Sequence, residues 1–414
     1  MLGAPVFRTA LFGPWSGNAL WTAARAVPSL DLCFADKKDL ICASSGRQLV
    51  TFARASSGTY TDSAGVLRTA ATDVPRFDHN PLTGESLGLL VEEQRTNLVL
   101  RSSEISLSFP WGGQSTTPTV ATGAFTAPDG SNTATRVTFA AADSRIIQGN
   151  LPVVNGTTYT LSLYARPVTA GTLNKLRLAC FDGVNQQNSN DLTLVAGWQR
   201  INFTFTSTGT GLASINIRNE LSAANANDIY IWGAQLEAGA FASSYIPTTT
   251  AAATRNADVP QITGTNFSSW YRQDEGTLYA EGKRDGTADG RFLGLSTGSI
   301  SNTYVLTTNA SRTAIISSVS GGSFGGGVTT ANSFAYQNPI KLAASISALL
   351  NENICLNGGV VATGSTTTPV GTLTTLDIGT QSGAATAFFN GTIRRLTYWP
   401  QRLDNATLQA ITQP

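Results

Sequence analysis

Alternation of apolar and polar residues between about positions 110 and 247 constrains the fold of this chain more than any other feature. Side chains of a strand point alternately to opposite faces, so each alternating segment has one buried and one solvated face. Clear alternation occurs at 135–139, 159–165, 175–181, 199–205 and 214–218. Clusters of Gly, Asn, Asp and Ser, which are typical of tight turns, separate these segments. The pattern predicts an antiparallel jelly-roll sandwich over residues 110–250.

A second group of strand-like segments follows a Thr- and Ala-rich stretch at 247–253. It includes 277–281, 304–308, 313–317 and 392–399. The Gly-rich run 320–327 predicts a mobile loop, because glycine weakens the interior of a strand. A helical pattern is predicted at 404–411, with Asp404 as its N-cap. We therefore expect a linker at 251–270 and a second sandwich over 271–414.

Three tryptophans, Trp198, Trp232 and Trp399, lie among β-branched and aromatic residues. Indole rings in such strands usually fill the space between two sheets. We expect all three in the cores.

The first 109 residues lack this regularity. Residues 51–109 are dense in turn signals and predict a connector of short strands. Residues 1–50 are predicted to be an N-terminal segment that docks on a partner, with apolar anchors at Phe7, Leu11, Phe12 and Trp15. An ordinary first strand packed on the chain's own core is the alternative. The predicted fold class is all-β: two antiparallel sandwiches after an irregular N-terminal anchor region.

Charge and hydropathy argue against two classes of partner. Lys and Arg total 27 and Asp and Glu total 26, which gives a net charge of +1 without a long basic run. Nucleic acid is therefore not expected as a partner, since its binding depends on phosphate neutralisation. Membrane insertion is not expected either, because no stretch of eighteen or more apolar residues occurs. The N-terminus lacks the early positive charge of a signal peptide and has Arg8 in its apolar part.

The four cysteines lack the paired spacing of a zinc site. Buried free thiols are the favoured interpretation for Cys33, Cys42, Cys180 and Cys355. Cys33 and Cys42 are close enough in sequence to leave a local disulfide open.

No catalytic constellation is evident, so the chain is not expected to be an enzyme. His79 is the single histidine, and it lies in a turn beside Asp78 and Asn80, where a structural hydrogen bond is the simpler role. Glu92 and Glu93 are adjacent, and neighbouring residues of a strand point to opposite faces rather than across one cleft. Arg95 offers one of them an ion pair.

The run 285–290 has two carboxylates and two glycines, which could coordinate a structural Ca²⁺ with backbone carbonyls. It lacks the further acidic ligands of an EF-hand, and a plain turn is favoured. No other cofactor is expected.

Sugar binding needs exposed aromatic faces with polar side chains nearby. Aromatic residues in or near predicted loops are Trp111, Tyr304 and Tyr336, and the polar candidates are Asp285, Asp289, Arg291 and Asn302. Packing or a plain surface position is the alternative for each of them.

Several separate motifs occur in order along the chain, at 52–56, 76–81, 84–98 and 232–237. They resemble a family of phage and prophage fibre or spike proteins that carry a jelly-roll carbohydrate-binding-like module. The resemblance covers about residues 28–270. The segments 356–359, 376–379 and 389–396 resemble a laminin-G or concanavalin A-like sandwich.

The resemblance implies a virion surface protein, on the head or tail of a phage or a gene transfer agent, that is made in the bacterial cytoplasm. It implies an N-terminus bound to capsid, portal or tail proteins, and sandwiches that bind host surface polysaccharide. A homo-oligomer is expected, since clustering turns weak single-site contacts into useful avidity. The alternatives are a capsule or lipopolysaccharide depolymerase, acting as glycosidase or lyase, and a capsid decoration protein without a glycan ligand.

Overall fold

The computed structural model describes residues 18–169, 174–219, 227–286, 288–347, 351–366, 370–381 and 387–414. The predicted anchors Phe7, Leu11, Phe12 and Trp15 lie outside these residues. No helix in the described ranges is long and apolar enough to span a membrane.

The N-terminal region contains α1 (Asn18–Ala24), β1 (Leu30–Leu32), α2 (Phe34–Lys37), β2 (Ile41–Cys42), β3 (Arg47–Gln48), β4 (Thr51–Ala53), β5 (Gly58–Thr61), β6 (Leu67–Ala70), β7 (Phe77–His79), β8 (Ser86–Val91) and β9 (Arg95–Asn97). The middle module contains β10 (Trp111–Gln114), β11 (Thr119–Phe125), β12 (Ala134–Phe139), β13 (Arg145–Val153), β14 (Thr158–Pro167), β15 (Lys175–Phe181), β16 (Gln186–Asn188), β17 (Leu192–Thr193), β18 (Gln199–Thr206), β19 (Gly211–Asn219) and β20 (Asn227–Ala238). The C-terminal region contains β21 (Ala253–Arg255), β22 (Val259–Thr263), α3 (Gly264–Ser268), β23 (Gly276–Arg284), β24 (Gly290–Ser296), β25 (Thr303–Thr308), β26 (Ala314–Ser320), β27 (Ser323–Thr329), β28 (Ile340–Ile346), β29 (Asn351–Leu356), β30 (Ala362–Ser365), β31 (Thr375–Ile378), β32 (Gly391–Trp399) and α4 (Asn405–Ile411).

The middle module is a sandwich of two antiparallel sheets. Among the described strands, one sheet has the order β10-β13-β19-β15-β16, with β17 beside β15, and the other has the order β11-β12-β20-β14-β18. The inward residues of the alternating segments form its core, for example Leu161, Ile217 and Ile231, all 0% exposed. The alternation therefore predicted this module correctly.

A second sandwich contains strands from both ends of the chain. One sheet has the order β3-β2-β1-β32-β23-β28-β29-β30, with β8 and β7 extending from β32, and the facing sheet has the order β27-β26-β25-β24-β31-β22-β4. Their common core includes Leu32, Leu89, Phe292 and Leu342. The all-β fold class with two antiparallel sandwiches is confirmed.

The structure differs from the predicted division of the chain at the N-terminal region and the linker. Strands β1, β4 and β8 lie in the sheets of the C-terminal sandwich, so much of 1–50 and 51–109 belongs to that sandwich rather than to a separate anchor and connector. The predicted linker at 251–270 contains β22, which pairs with both β4 and β31. These strands are short, and their partners are distant in sequence, so local alternation does not reveal them.

Two helices cover the outer face of the ten-stranded sheet. Leu20 of α1 and Leu408 of α4 pack around Trp399, which is fully buried. Helix α4 has the predicted N-cap, since the Asp404 side chain accepts a hydrogen bond from the Thr407 backbone N–H at 2.7 Å. The sequence pattern indicated a helix only at 404–411, whereas α1, α2 and α3 also form in the described ranges.

The tryptophan and cysteine predictions are mostly confirmed. Trp232 is buried at 2% exposure, whereas Trp198 is only partly buried against its cluster. All four cysteines are buried and free, which excludes the local disulfide that the spacing of Cys33 and Cys42 left open.

Candidate functional site

The outer face of the seven-stranded sheet forms a groove of about 1040 Å³. Strands β24 to β27 supply most of its lining. On β25, Thr303, Val305 and Thr307 line the groove, whereas Tyr304 and Leu306 enter the core, as alternation along a strand requires. We call this feature the sheet groove.

The strand register orders the lining side chains into rows. Three rows cross β25, β26 and β27: Thr303, Val319 and Phe324; Val305, Ser317 and Gly327; Thr307, Ile315 and Thr329. Gly327 leaves one position of the middle row without a side chain. A Cβ atom built there would lie 3.4 Å from Cζ of Phe324, so the phenyl ring lies beside this gap. The middle row of the groove therefore has a gap at Gly327, and the phenyl ring of Phe324 lies at the edge of that gap.

Phe324 is the exposed aromatic residue of the groove. It is 72% exposed, and Ile300, at 50%, also lines the groove. Hydroxyl groups of Thr307, Ser317 and Thr329 line the same surface. A flat apolar ring beside several hydroxyl groups suits a ligand that has both C–H faces and hydroxyl groups.

One end of the sheet groove carries opposite charges. Asp289 is exposed, and its carboxylate accepts a hydrogen bond from the Ala310 backbone N–H at 3.1 Å. Burial lowers the pKa of Arg291, and the charge of Asp289 opposes that change. Both side chains line the groove, so it offers a carboxylate acceptor and a guanidinium donor at the same end.

The structure brings some of the predicted sugar-binding residues to this groove. Asp289 and Arg291 line it. Asn302 lies at its edge between two lining residues, and its side-chain oxygen accepts a hydrogen bond from the Gly321 N–H at 3.0 Å.

Two of the three predicted aromatic residues are not available for stacking. Trp111 is 3% exposed in β10, where its indole N–H donates to the Arg101 carbonyl at 3.2 Å. Tyr304 is 6% exposed and belongs to the core. Tyr336 is half-buried against that core. The prediction of exposed aromatic rings was wrong at Trp111 and Tyr304, because both lie on the inward face of a strand.

Asp285 lies apart from the groove lining. It is half-buried, and its carboxylate accepts a hydrogen bond from the Gln337 amide at 2.6 Å. Burial raises the pKa of Asp285 to about 6. Within the described ranges, no three His, Cys, Asp or Glu side chains form a group that could hold a metal ion, and the Ca²⁺ site at 285–290 stays a prediction.

Sequence reasoning missed Phe324, because the surrounding glycines predicted a mobile loop. The structure instead forms strand β27 over Ser323–Thr329, paired with β26 through a register shift at Val319. An aromatic residue isolated among glycines was the available signal. Such a ring has few neighbours to pack against, which favours exposure.

The residues considered for catalysis have structural contacts. His79 is buried, and its Nδ1 lies 3.0 Å from the Thr61 carbonyl oxygen. Glu92 pairs with Arg76 at 2.9 Å, and Glu93 pairs with Arg95 at 2.5 Å. Glu92 thus lies in a buried ion network.

Comparison with known proteins gives no family model and no curated relative that matches the chain. Among solved structures, the CBM40 of Ruminococcus gnavus IT-sialidase bound to α2,3-sialyllactose is similar at 15% identity and a TM-score of 0.31, over 34% of this chain and 84% of that one. The CBM22-1 xylan-binding domain of Paenibacillus barcinonensis Xyn10C is similar at 12% identity and a TM-score of 0.28, over 34% and 94% of the two chains. Bacteriophage CBA120 tailspike protein 4 is similar at 13% identity and a TM-score of 0.28, over 34% and 21%. Likenesses of this extent do not identify a ligand or an activity.

Proposed function

We propose that this chain is a glycan-binding fibre or spike subunit of a phage or phage-like particle, and that it holds host surface polysaccharide in the sheet groove. We base the glycan ligand on the exposed ring of Phe324, which lies on the same surface as several hydroxyl side chains, with Arg291 and Asp289 at one end. Pyranose rings present C–H faces to aromatic rings and hydroxyl groups to polar side chains. The resemblance of the sequence motifs to phage fibre and spike proteins supports the assignment of the chain to a phage or phage-like particle.

Binding without cleavage is the favoured activity. Glycosidases use two carboxyl groups that flank the scissile bond. Asp289 supplies the single carboxylate among the described residues that line the sheet groove. A depolymerase would need a second carboxylate across the groove.

We expect Phe324→Ala to weaken glycan binding about tenfold, because the variant loses the stacking face while the hydroxyl side chains of the groove remain. The measurement is a titration of purified protein with capsular polysaccharide and lipopolysaccharide from candidate host bacteria, with released reducing sugar followed in the same samples. The fold should be unaffected, since the side chain is 72% exposed.

Phe109→Ala is the matched control, because Phe109 is 83% exposed and lies in the segment that precedes β10, outside the sheet groove. It should bind as the parent does. Equal affinity of Phe324→Ala and the parent would refute the sheet groove as the site. Release of oligosaccharide would make the chain an enzyme instead.

We expect deletion of residues 1–17 to abolish incorporation into particles while glycan binding is retained. The deletion stops before α1, because Leu20 packs against the C-terminal sandwich and the Trp21 indole N–H donates to Asp31 at 2.9 Å. The Trp399 indole N–H also donates to the Ala26 carbonyl at 3.0 Å. The measurement is immunodetection of the chain in purified particles. Undiminished incorporation would place the anchor elsewhere, and a lowered melting temperature would show that the deletion damaged the fold.

A further inference from the structure

Three arginines lie side by side across the middle module. Arg145 of β13 is in direct register with Arg218 of β19, and Arg218 is in direct register with Arg177 of β15. Their strand neighbours Ile146, Ile217, Leu176 and Leu178 are core residues, so the three guanidinium groups share the outer face of the six-stranded sheet. We call them the arginine row.

Like charges directly opposite each other on neighbouring strands are destabilising. Among the described contacts of the arginine row, Asp143 pairs with Arg218 and lies 3.8 Å from Arg145, and Asp191 pairs with Arg177. Two carboxylates therefore face three guanidinium groups. The row retains a positive charge that an anionic ligand would balance.

Hydrogen-bonding groups within and beside the row are buried without partners. The Nε atoms of Arg145 and Arg218 and the side-chain oxygen of Asn216 have no hydrogen-bond partner in the described ranges. Asn216 is 1% exposed, and the Arg218 side chain is 7% exposed. Buried polar groups are normally satisfied, so the described contacts leave the hydrogen-bonding capacity of this face incompletely used. The flanking positions, Ile147 and Ala179, leave Asn216 between two apolar neighbours.

An exposed aromatic ring lies farther along the same face. Phe181 is 42% exposed and is in register with Ser214 of β19 and Gln186 of β16. It is four residues from Arg177 on β15, about 13 Å along the strand, and the even spacing places both on one face. The face therefore joins a cationic end to a stacking surface.

We propose that the outer face of the six-stranded sheet is a second saccharide site, specific for sugars that carry a carboxylate. The arginine row binds the carboxylate, because guanidinium groups match its planar geometry with paired hydrogen bonds. Phe181 stacks on a neighbouring sugar ring. This site lies on the middle module and is separate from the sheet groove.

The test uses the purified full chain and two polymers that differ in one group. Polygalacturonate carries a carboxylate on each sugar, and its carboxyl-reduced form is neutral. We expect saturable binding of polygalacturonate, at least tenfold weaker binding of the reduced polymer, and weaker binding at high salt. Equal binding of the two polymers, or equally tight binding of polyphosphate, would overturn the carboxylate specificity.

Variants locate the site. We expect Arg177→Gln and Phe181→Ala each to weaken polygalacturonate binding about tenfold; the Arg177 side chain is 24% exposed, and both variants should fold. Arg68→Gln is the matched control, since its side chain is 53% exposed in an ion pair with Asp62 outside the row. Arg177→Gln and Phe181→Ala leave the residues of the sheet groove unchanged, so loss of polygalacturonate binding in these variants is distinguishable from loss of capsular polysaccharide binding in Phe324→Ala. Unchanged binding by both Arg177→Gln and Phe181→Ala would refute the proposal.

Discussion

Replacing Asp258 with alanine is expected to lower the free energy of unfolding by about 3 to 5 kcal/mol, the usual cost of breaking a buried ion pair by removing one partner. Asp258 is fully buried and pairs with Arg54 at 3.0 Å and with Arg76 at 2.5 Å. Its carboxylate also accepts the Glu92 backbone N–H at 2.9 Å. The variant leaves two buried guanidinium groups short of a counter-charge. Urea unfolding followed by tryptophan fluorescence measures the loss.

Asp274→Ala is the control for removing an aspartate from an ion pair. Asp274 pairs with Arg272, but their side chains are 53% and 46% exposed, and exposed pairs contribute about 1 kcal/mol or less. We expect its unfolding midpoint to stay near that of the parent. Similar losses in the two variants would contradict a special role for the buried network.

The network explains why its charges are tolerated in the interior. Arg76 also donates to the Thr59 carbonyl at 2.9 Å and to the Ser244 hydroxyl at 2.7 Å. Burial by itself raises the pKa of Glu92, but Arg255, Arg76 and hydrogen bonds from Ser244 lower it to about 2. Glu92 is therefore ionised at neutral pH. Ser244 follows the last strand of the middle module, so the network fastens that module to the C-terminal sandwich.

The motifs that carry the family resemblance mostly build this junction. Arg54, Arg76 and Glu92 all belong to the quoted motifs and all enter the network. The sequence shows that these residues are distinctive but does not show their partners, because Asp258 is 204 positions from Arg54. Glu92 was expected to be structural, and its contacts agree. The ion-pair partners of Glu92 could be identified only from the folded structure.

The fold was more predictable than the site, for a physical reason. Alternation reports which face of a strand is buried, and it predicted the middle module well. It does not report which way an isolated aromatic residue points when its strand is not recognised. Trp111 was expected to be exposed near a loop but is buried in β10, whereas Phe324 lay in a run predicted to be a loop and is exposed on β27. The sequence named Asp289 and Arg291 as polar candidates, and the structure places both in the lining of the sheet groove. Their role in sugar binding stays a prediction.

We expect the stability of this protein to fall as pH rises from about 4.5 to about 7, and Glu352→Gln to remove much of that fall. Glu352 is fully buried on the inward face of β29, and neither carboxylate oxygen has a hydrogen-bond partner among the described residues. Burial raises its pKa from 4.5 to about 7. Below pH 4.5 the carboxyl is protonated in both the folded and the unfolded chain, so its contribution to stability is fully present. Between the two values only the unfolded chain ionises, which costs the fold about 1.4 kcal/mol per pH unit and about 3 kcal/mol in all.

The measurement is the difference in unfolding free energy between the parent and Glu352→Gln at pH 4.5, 6 and 8. The difference is measured because two other carboxyl groups, Asp78 and Asp285, also lower the stability as pH rises. Burial raises the pKa of each to about 6, and their effect is the same in the parent and in the variant. The variant should gain on the parent by about 3 kcal/mol between pH 4.5 and 8. Glu104→Gln, an exposed carboxylate paired with Arg101, should follow the parent at every pH. A constant difference between the parent and Glu352→Gln would mean that Glu352 ionises in the fold as readily as in the unfolded chain, so that water or a cation reaches it.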